Sequence, residues 1–320
     1  MRERAALARQ DLRVRRLPAI LLAILCAAVA GGLLDGLVWP GPPLALFRPQ
    51  LTAGLLAVTV LVLAVGPRRL AIVGVVVVGL GCALLVSALR DPEPEPPRAG
   101  LPTVEILALN LWHRNGDVAS VTELVTERRP DVVALVELTP TWRRALAPVL
   151  RPYRIRAVEA ATGSSGIGLY GRGYLRRPEI VRLPEGARPA VEAQLDLPGG
   201  VVRLLVVHPT GGLLPGDAEQ HERELRAIGE WARERGPRSV VCGDFNAAPW
   251  TRFLRDLLDE GALRAALPGG LFAGSWPALP PPLRVAVDGC LVGRGLRARA
   301  ELGPRVGSDH LPVLVEVAQG

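Results

Sequence analysis

The stretch Ser239-Val240-Val241-Cys242-Gly243-Asp244-Phe245-Asn246 carries the strongest local signal of the fold. Ser239 to Val241 reads as a short β-strand, and the glycine that follows permits a tight backbone approach. Asp244 and Asn246 then stand two residues apart, so both side chains can face one site. A polar pair just past an apolar strand marks a strand end, where side chains converge on a rim while the strand body stays in a core.

Outward from this stretch the pattern recurs. Val104 to Leu109 reads as a strand closed by Asn110, Val132 to Val136 as a strand closed by Glu137, and Val201 to Val207 as a strand closed by His208. Ile167 to Tyr170, Val285 to Val292 and Leu311 to Val317 are further strands. Asp117 to Arg129, with Asp117 as N-cap, and Asp217 to Arg235 read as helices. Asp288 lies inside an apolar run, and a carboxylate there needs a counterion, a metal or hydrogen bonds to offset its desolvation. Ser308-Asp309-His310 precedes the last strand and supplies an imidazole. Singly, each residue has a plainer reading, Asn110 as a turn-former and His208 as a capped strand end. It is the ordered set that points to a site. Strands and helices alternating from Thr103 onward predict an α/β fold, a two-sheet sandwich with helices on its outer faces.

The first ninety residues are of another kind. Leu17 to Val38, Leu51 to Val65 and Leu70 to Leu89 are apolar runs, and a membrane-crossing helix needs about 20 residues. The first and third meet that length. The second does so only by taking in Pro43 to Phe47 past Arg48, or in a locally thinned bilayer. Leu17 to Ala30 also reads as a secretory segment with Ala28-Val29-Ala30 as its cleavage site, but two more apolar runs follow it. The formal charge of +7 comes from arginine alone, and Arg2, Arg4, Arg9, Arg13, Arg15 and Arg16 all precede the first run. With Arg68 and Arg69 they read as cytoplasmic, which places the loop from Trp39 to Gln50 and the C-terminus outside. The positive balance is thus a topology signal more than a nucleic-acid footprint. Arg90 to Pro97 reads as an extended polyproline spacer. The expected organisation is a tail with three transmembrane helices over 1–89, a linker over 90–102 and a globular domain over 103–320. Cys26, Cys82, Cys242 and Cys290 lack zinc spacing. Whether Cys242 and Cys290 are buried thiols or a disulfide in a domain outside the cytoplasm stays open.

Read in order, Leu109-Asn110, Val136-Glu137, Gly166-Ile167-Gly168-Leu169-Tyr170-Gly171-Arg172, Val207-His208-Pro209, Gly243-Asp244-Phe245-Asn246, Val287-Asp288 and Gly307-Ser308-Asp309-His310 resemble the endonuclease/exonuclease/phosphatase superfamily over nearly all of residues 103 to 317. Ala248-Pro249-Trp250, Ser275-Trp276-Pro277 and the N-terminal spans are similar to a bacterial branch that carries membrane helices. The resemblance implies a DNase I-like four-layer sandwich and metal-dependent phosphoester hydrolysis. It implies Mg²⁺, with Mn²⁺ as the alternative, held by Glu137 with Asn110 and Asp309. His310, oriented by Asp288, would take a proton from water, with Asp244 as the rival base. Asp244 and Asn246 would position the water and a phosphate oxygen, His208 would donate to the phosphate or leaving oxygen, and Tyr170 and Arg172 would touch the substrate. Gly289, where relatives carry a bulkier residue, implies a more open pocket wall, and Val136 stands where Gln is frequent. The substrate class stays open among nucleic acid, phospholipid and small phosphoesters. The lipid bilayer is the other partner, and no obligate protein partner is indicated. The competing reading is a non-catalytic extracytoplasmic binding module on a membrane anchor.

Overall fold

Central strands that are apolar on both faces must be covered on both faces, and this sets the layering. A computed structural model describes residues 2–88, 93–184, 186–268 and 270–320, with side chains from Leu17 onward. It divides into two compact units, Met1–Arg90 and Asp91–Gly320.

The second unit holds the strands β1 (Val104–Asn110), β2 (Val132–Val136), β3 (Ile155–Glu159), β4 (Ile167–Gly171), β5 (Leu175–Arg182), β6 (Pro189–Leu197), β7 (Gly200–Val207), β8 (Ser239–Asp244), β9 (Leu263–Ala266), β10 (Asp288–Gly293), β11 (Leu296–Leu302) and β12 (Val313–Gln319). They form two six-stranded mixed sheets, β11-β12-β1-β2-β4-β3 and β5-β6-β7-β8-β10-β9. Val104, Ile106, Val132, Ala134, Val202, Leu204 and Val206 pack between the sheets. On the opposite face of the same strands, Leu107, Leu109, Val133 and Leu135 join Val121, Leu124 and Val125 of one helix and Trp142 of another. Leu205, Val207, Val241 and Leu291 join Leu225, Ile228 and Trp231 of the long helix Asp217–Arg235 and Leu254 of the helix Arg252–Gly261. The result is the expected DNase I-like sandwich.

Each sheet contains one parallel pair, β1 with β2 and β7 with β8, and each pair is bridged by a crossover helix, Val118–Arg128 or Asp217–Arg235. Parallel strands end at the same edge, so Asn110, Glu137, His208 and Asp244 arrive together at one rim. The antiparallel neighbours begin there. Asp288 opens β10 opposite Asp244, followed by the rungs Gly289–Gly243 and Cys290–Cys242. The two cysteines form a disulfide. Gly243 has φ +143°, and a Cβ on it would lie 1.9 Å from the Val207 carbonyl oxygen, so no side chain fits between β7 and β8 at this point.

Several expectations need correction. β10 starts at Asp288, because the backbone of Val285 pairs instead with Trp276. Asp288 is therefore at a strand end and not within a strand. A Cβ on Gly289 would meet Leu267 and the Ala266 carbonyl, so this glycine faces β9 and does not open a pocket wall. The Pro-rich segment is not a free spacer in its described part. Pro94 is buried, the Glu95 carbonyl accepts from Ala298 N at 3.0 Å, and Arg297 pairs with the Glu95 carboxylate at 2.5 Å. The docked segment covers the edge strand β11. Arg90 to Pro92 and the side chains of the arginine-rich tail lie outside the described residues.

In the first unit three helices are long and apolar enough to cross a membrane, with spans over Leu17–Leu34, Arg48–Val65 and Arg68–Ala88. The first therefore ends before Val38. The middle one reaches its length by beginning at Arg48, whose buried guanidinium donates to the Gly32 carbonyl at 2.9 Å. Residues Gly41–Leu46 form a separate short helix, so the middle span does not extend through Pro43 to Phe47. Gly74 and Gly81 let the second and third helices close up, since a Cβ there would lie 2.4 Å from Thr59 Oγ1 and 2.6 Å from Thr52 Oγ1.

Gly243→Ala should destabilise the second unit by at least about 2 kcal/mol, read as a lower melting temperature of the purified full chain. An unchanged melt would contradict the β7–β8 packing.

Candidate active site

Five buried polar residues, Asn110, His208, Asp244, Asp288 and His310, meet at the rim with the half-buried Glu137. Asn110 leaves β1 and reaches across the sandwich. Its Nδ2 donates to Glu137 Oε1 at 3.3 Å and to Asp244 Oδ2 at 3.0 Å, while its Oδ1 accepts from Trp112 N at 2.9 Å. Trp112 has φ +53°, a left-handed turn that brings the next residue back over the site. That residue is His113, whose backbone N–H and ring Nδ1 both reach Glu137 Oε2, at 2.9 and 2.6 Å. Burial pushes the Glu137 carboxyl up, but these bonds from His113, with the Asn110 amide, hold it below the usual range.

On the other side His310 Nδ1 lies 2.7 Å from Asp288 Oδ2, and its Nε2 lies 3.8 Å from Asp244 Oδ2. Asp288 N is itself held by Ser275 Oγ at 3.2 Å. Ser308 donates to the Asn110 carbonyl at 2.8 Å and accepts from His310 N at 3.0 Å, which fixes the 308–310 turn to the end of β1. Burial would lower the imidazole pKa, but the carboxylates of Asp288 and Asp244, the hydrogen bond to Asp288 and the Asp309 charge raise it to about 10. His310 is accordingly an imidazolium at neutral pH. Asp244 moves upward, pushed by burial and then by Asp288.

His208 Nε2 stands 3.5 Å from Asp244 Oδ2. Its Nδ1 faces the Ser164 carbonyl at 3.1 Å, and a carbonyl only accepts, so Nδ1 carries the proton. Burial lowers the pKa of this ring ahead of the opposing pull of Asp244. Asn246, with φ +51°, donates N–H to Asp244 Oδ1 at 2.9 Å and Nδ2 to the Pro209 carbonyl at 3.1 Å.

The residues present suit a hard divalent cation beside Glu137. The buried Asp309 Oδ1 has no hydrogen-bond partner. Asp309 is raised first by burial, against the pull of His310 and a hydrogen bond from Trp276, and the Glu137 charge adds to the rise, so the two carboxylates sense one another. An oxygen-rich donor set of that kind is what Mg²⁺ or Mn²⁺ takes. Asp244, Asp288 and His310 also bring three ligand atoms within 4.8 Å of one another. There, however, the imidazolium already balances the carboxylates, and Nδ1 is spent on Asp288.

Two expected substrate contacts are not at this rim. β4 runs antiparallel to β2, pairing Val136 with Ile167 and Val132 with Gly171, so the chain leaves the site as it passes from Gly166 to Arg172. Tyr170 is packed in the core under the outer helices. Arg172 sits at the opposite edge, its guanidinium on the Arg129 carbonyl and over the Tyr153 ring. Conversely, His113, Ser164 and Ser275 join the site without having been singled out as part of it. His113 carries a signal, being an imidazole three residues past a strand-end Asn. Ser164 acts through its backbone carbonyl and leaves no trace in side-chain chemistry.

The model of the endonuclease/exonuclease/phosphatase family matches residues 107–310. No curated protein matches the chain. Solved structures share the fold. An endonuclease/exonuclease/phosphatase from Bacteroides vulgatus has 15% identity and TM-score 0.56 over 68% of this chain and 100% of its own. TDP2 of D. rerio, solved with a single-strand DNA product, has 17% identity and TM-score 0.53 over 68% and 99%. Sphingomyelinase C from Streptomyces griseocarneus has 16% identity and TM-score 0.50 over 68% and 100%.

The charge balance at His310 is testable. In protein stripped of cations, NMR titration should give His310 a pKa near 10, and Asp288→Asn should bring it back toward the ordinary value of about 6.5. Because the folded pKa is raised, His310 contributes stability that is complete below about pH 6.5 and lost as pH rises through about 10. The melting temperature should fall across that window, and less so in Asp288→Asn. A His310 pKa at or below about 6.5 would contradict the arrangement.

Proposed function

The chain belongs to the endonuclease/exonuclease/phosphatase family, and from that premise we propose that it is a membrane-anchored, metal-dependent phosphoester hydrolase. The observation that carries the reading is the convergence of Asn110, Glu137, His208, Asp244, Asp288 and His310 at one buried rim of the sandwich. Glu137, with Asp309 and Asn110, would hold Mg²⁺ or Mn²⁺. Such a cation, when bound, neutralises phosphate oxygens and so favours attack on phosphorus.

The chain's own groups account for the protons. His310, kept as an imidazolium by Asp288, offers Nε2–H to a phosphate oxygen and stabilises the negative charge that builds up there. This replaces the role of base expected for it, since a ring with a pKa near 10 is already protonated at pH 7. Asp244 is then the better acceptor for the proton of the attacking water, because its raised pKa makes it a stronger base than an ordinary carboxylate. Asn246 N–H orients that carboxylate through Oδ1. His208 is neutral with its proton on Nδ1, so its Nε2 lone pair can receive a proton from Asp244 and pass it on to the leaving oxygen. The buried position of these groups keeps bulk water from competing with the bonds among them.

The apolar helices support an anchored, multi-pass placement. The arginine-rich segments support a catalytic domain outside the cytoplasm. The Cys242–Cys290 disulfide supports the same side, because such bonds persist in oxidising compartments. Proteins of this fold include TDP2, solved with a single-strand DNA product, and a sphingomyelinase C. The substrate of this chain falls within phosphodiesters or phosphomonoesters of nucleic acid, lipid or small molecules.

Purified protein screened on DNA, sphingomyelin, phosphatidylinositol and nucleotide esters should hydrolyse at least one with Mg²⁺ or Mn²⁺ and none in EDTA. Glu137→Gln and His310→Ala should each lose at least ~100-fold, while Arg172→Ala, at the far edge, stays within about twofold. Absence of metal-dependent turnover on all of them would leave the binding-module reading in place. For topology, a phosphatase reporter that is active only outside the cytoplasm, fused after Gly320, should be active, and an inactive but expressed fusion would reverse the placement.

A further inference from the structure

The long helix Asp217–Arg235 carries two buried ionisable residues that the chemistry above does not use. His221 is 0% exposed and Glu224 2%. Three residues apart, they lie on one helix face, and both meet Thr210, two residues after His208. Glu224 Oε2 accepts the Thr210 N–H at 2.6 Å, and its Oε1 accepts Thr210 Oγ1 at 3.3 Å and Gln220 Nε2 at 2.6 Å. His221 Nδ1 donates to the Thr210 carbonyl. The N–H, the C=O and the hydroxyl of one loop residue are thus all held by two residues on one turn of the helix. The preceding carbonyl, of Pro209, is held by Asn246 Nδ2 at 3.1 Å.

This arrangement is costly for a merely packed helix. A carboxylate taken out of water loses its solvation and needs compensation, and among the described residues no cation pairs with Glu224 in an ion pair. His221 keeps a buried Nε2 with no hydrogen-bond partner, a further cost. An aliphatic pair would fill the same space against Phe253, which packs on the His221 ring, without either cost. What an aliphatic pair would lack is a grip on the backbone that leads out of His208. The other end of the His208 ring is already fixed by Ser164, so the Thr210 contacts settle the remaining freedom of this strand end.

We propose that Glu224 and His221 are positioning residues that clamp the turn at Pro209 and Thr210 and thereby set where His208 Nε2 stands against Asp244. The inference rests on the hydrolase reading only for its kinetic consequence. A displaced His208 should slow the chemical step with little effect on substrate binding, since neither clamp residue reaches the rim.

The chain has four histidines, 113, 208, 221 and 310, so long-range ¹H–¹⁵N spectra of the imidazoles in the detergent-solubilised full chain resolve each ring. Glu224→Ala should shift the His208 nitrogens and leave those of His310 in place. Thr210→Val, which removes only the hydroxyl donor, should shift His208 in the same direction by less. On any phosphodiester the wild type hydrolyses, Glu224→Ala should lower kcat between ~10- and ~100-fold with KM within about twofold. Glu224→Gln, which retains an acceptor for the Thr210 N–H, should recover most of the loss. Should Glu224→Ala fail to fold, Thr210→Val and Glu224→Gln decide the matter. His208 signals unmoved in every folded variant, or Glu224→Gln as impaired as Glu224→Ala, would overturn the proposal. If the wild type hydrolyses nothing, the hydrolase reading fails and the imidazole shifts still decide the clamp.

Discussion

Asp244 and Asp288 face each other directly across β8 and β10, and both are buried. Like charges opposed on neighbouring strands repel, and out of water the repulsion is stronger still. The site is organised around relieving that opposition. His310 places Nδ1 on Asp288 and Nε2 toward Asp244, Asn110 adds an amide donor to Asp244, and the Asn246 N–H takes its other oxygen. The 308–310 turn, its anchor Ser308 and the end of β1 are consequently tied to two residues on the opposite sheet. The polar network spans both halves of the sandwich, and disturbing one member exposes a charge elsewhere.

That network requires the chain to turn sharply where strands end. Trp112, Glu137 and Asn246 all adopt left-handed backbone angles, at φ +53°, +55° and +51°, each at a cost of about 1–2 kcal/mol for a residue with a Cβ. The hydrogen bonds they bring together offset it. The turn at Trp112 delivers two donors of His113 to Glu137, and the turn at Asn246 delivers its N–H to Asp244. Strain held at strand ends and compensated by local polar contacts is what a preorganised site looks like.

Much of this was legible in the residues themselves. Ile106-Leu107-Ala108-Leu109 and Val132-Val133-Ala134-Leu135-Val136 are apolar on both faces, as strands buried between a second sheet and a helix must be, so the layers followed from pattern alone. Asn110, Glu137, His208 and Asp244 could be read as strand ends because a polar side chain interrupts each run. The resemblance alone implied substrate contacts for Tyr170 and Arg172. They too end an apolar run, but β4 is antiparallel to its neighbour, and its end lies at the other edge of the sheet. His113 shows the opposite failure: nothing nearby in sequence connects it with Glu137, and only the turn at Trp112 does.

The sequence by itself determined seven of the twelve strands, the two crossover helices, the three apolar helices and the residue types available for chemistry, because periodicity and polarity are local properties written along the chain. Strand direction, the pairing of Asp244 with Asp288, the closing of Cys242 on Cys290, and the proton state of His310 were decided only by the tertiary structure. Each depends on which residues, far apart in sequence, are brought within a few ångströms in a place shielded from water, and there the fields of neighbouring charges outweigh what any side chain would do alone.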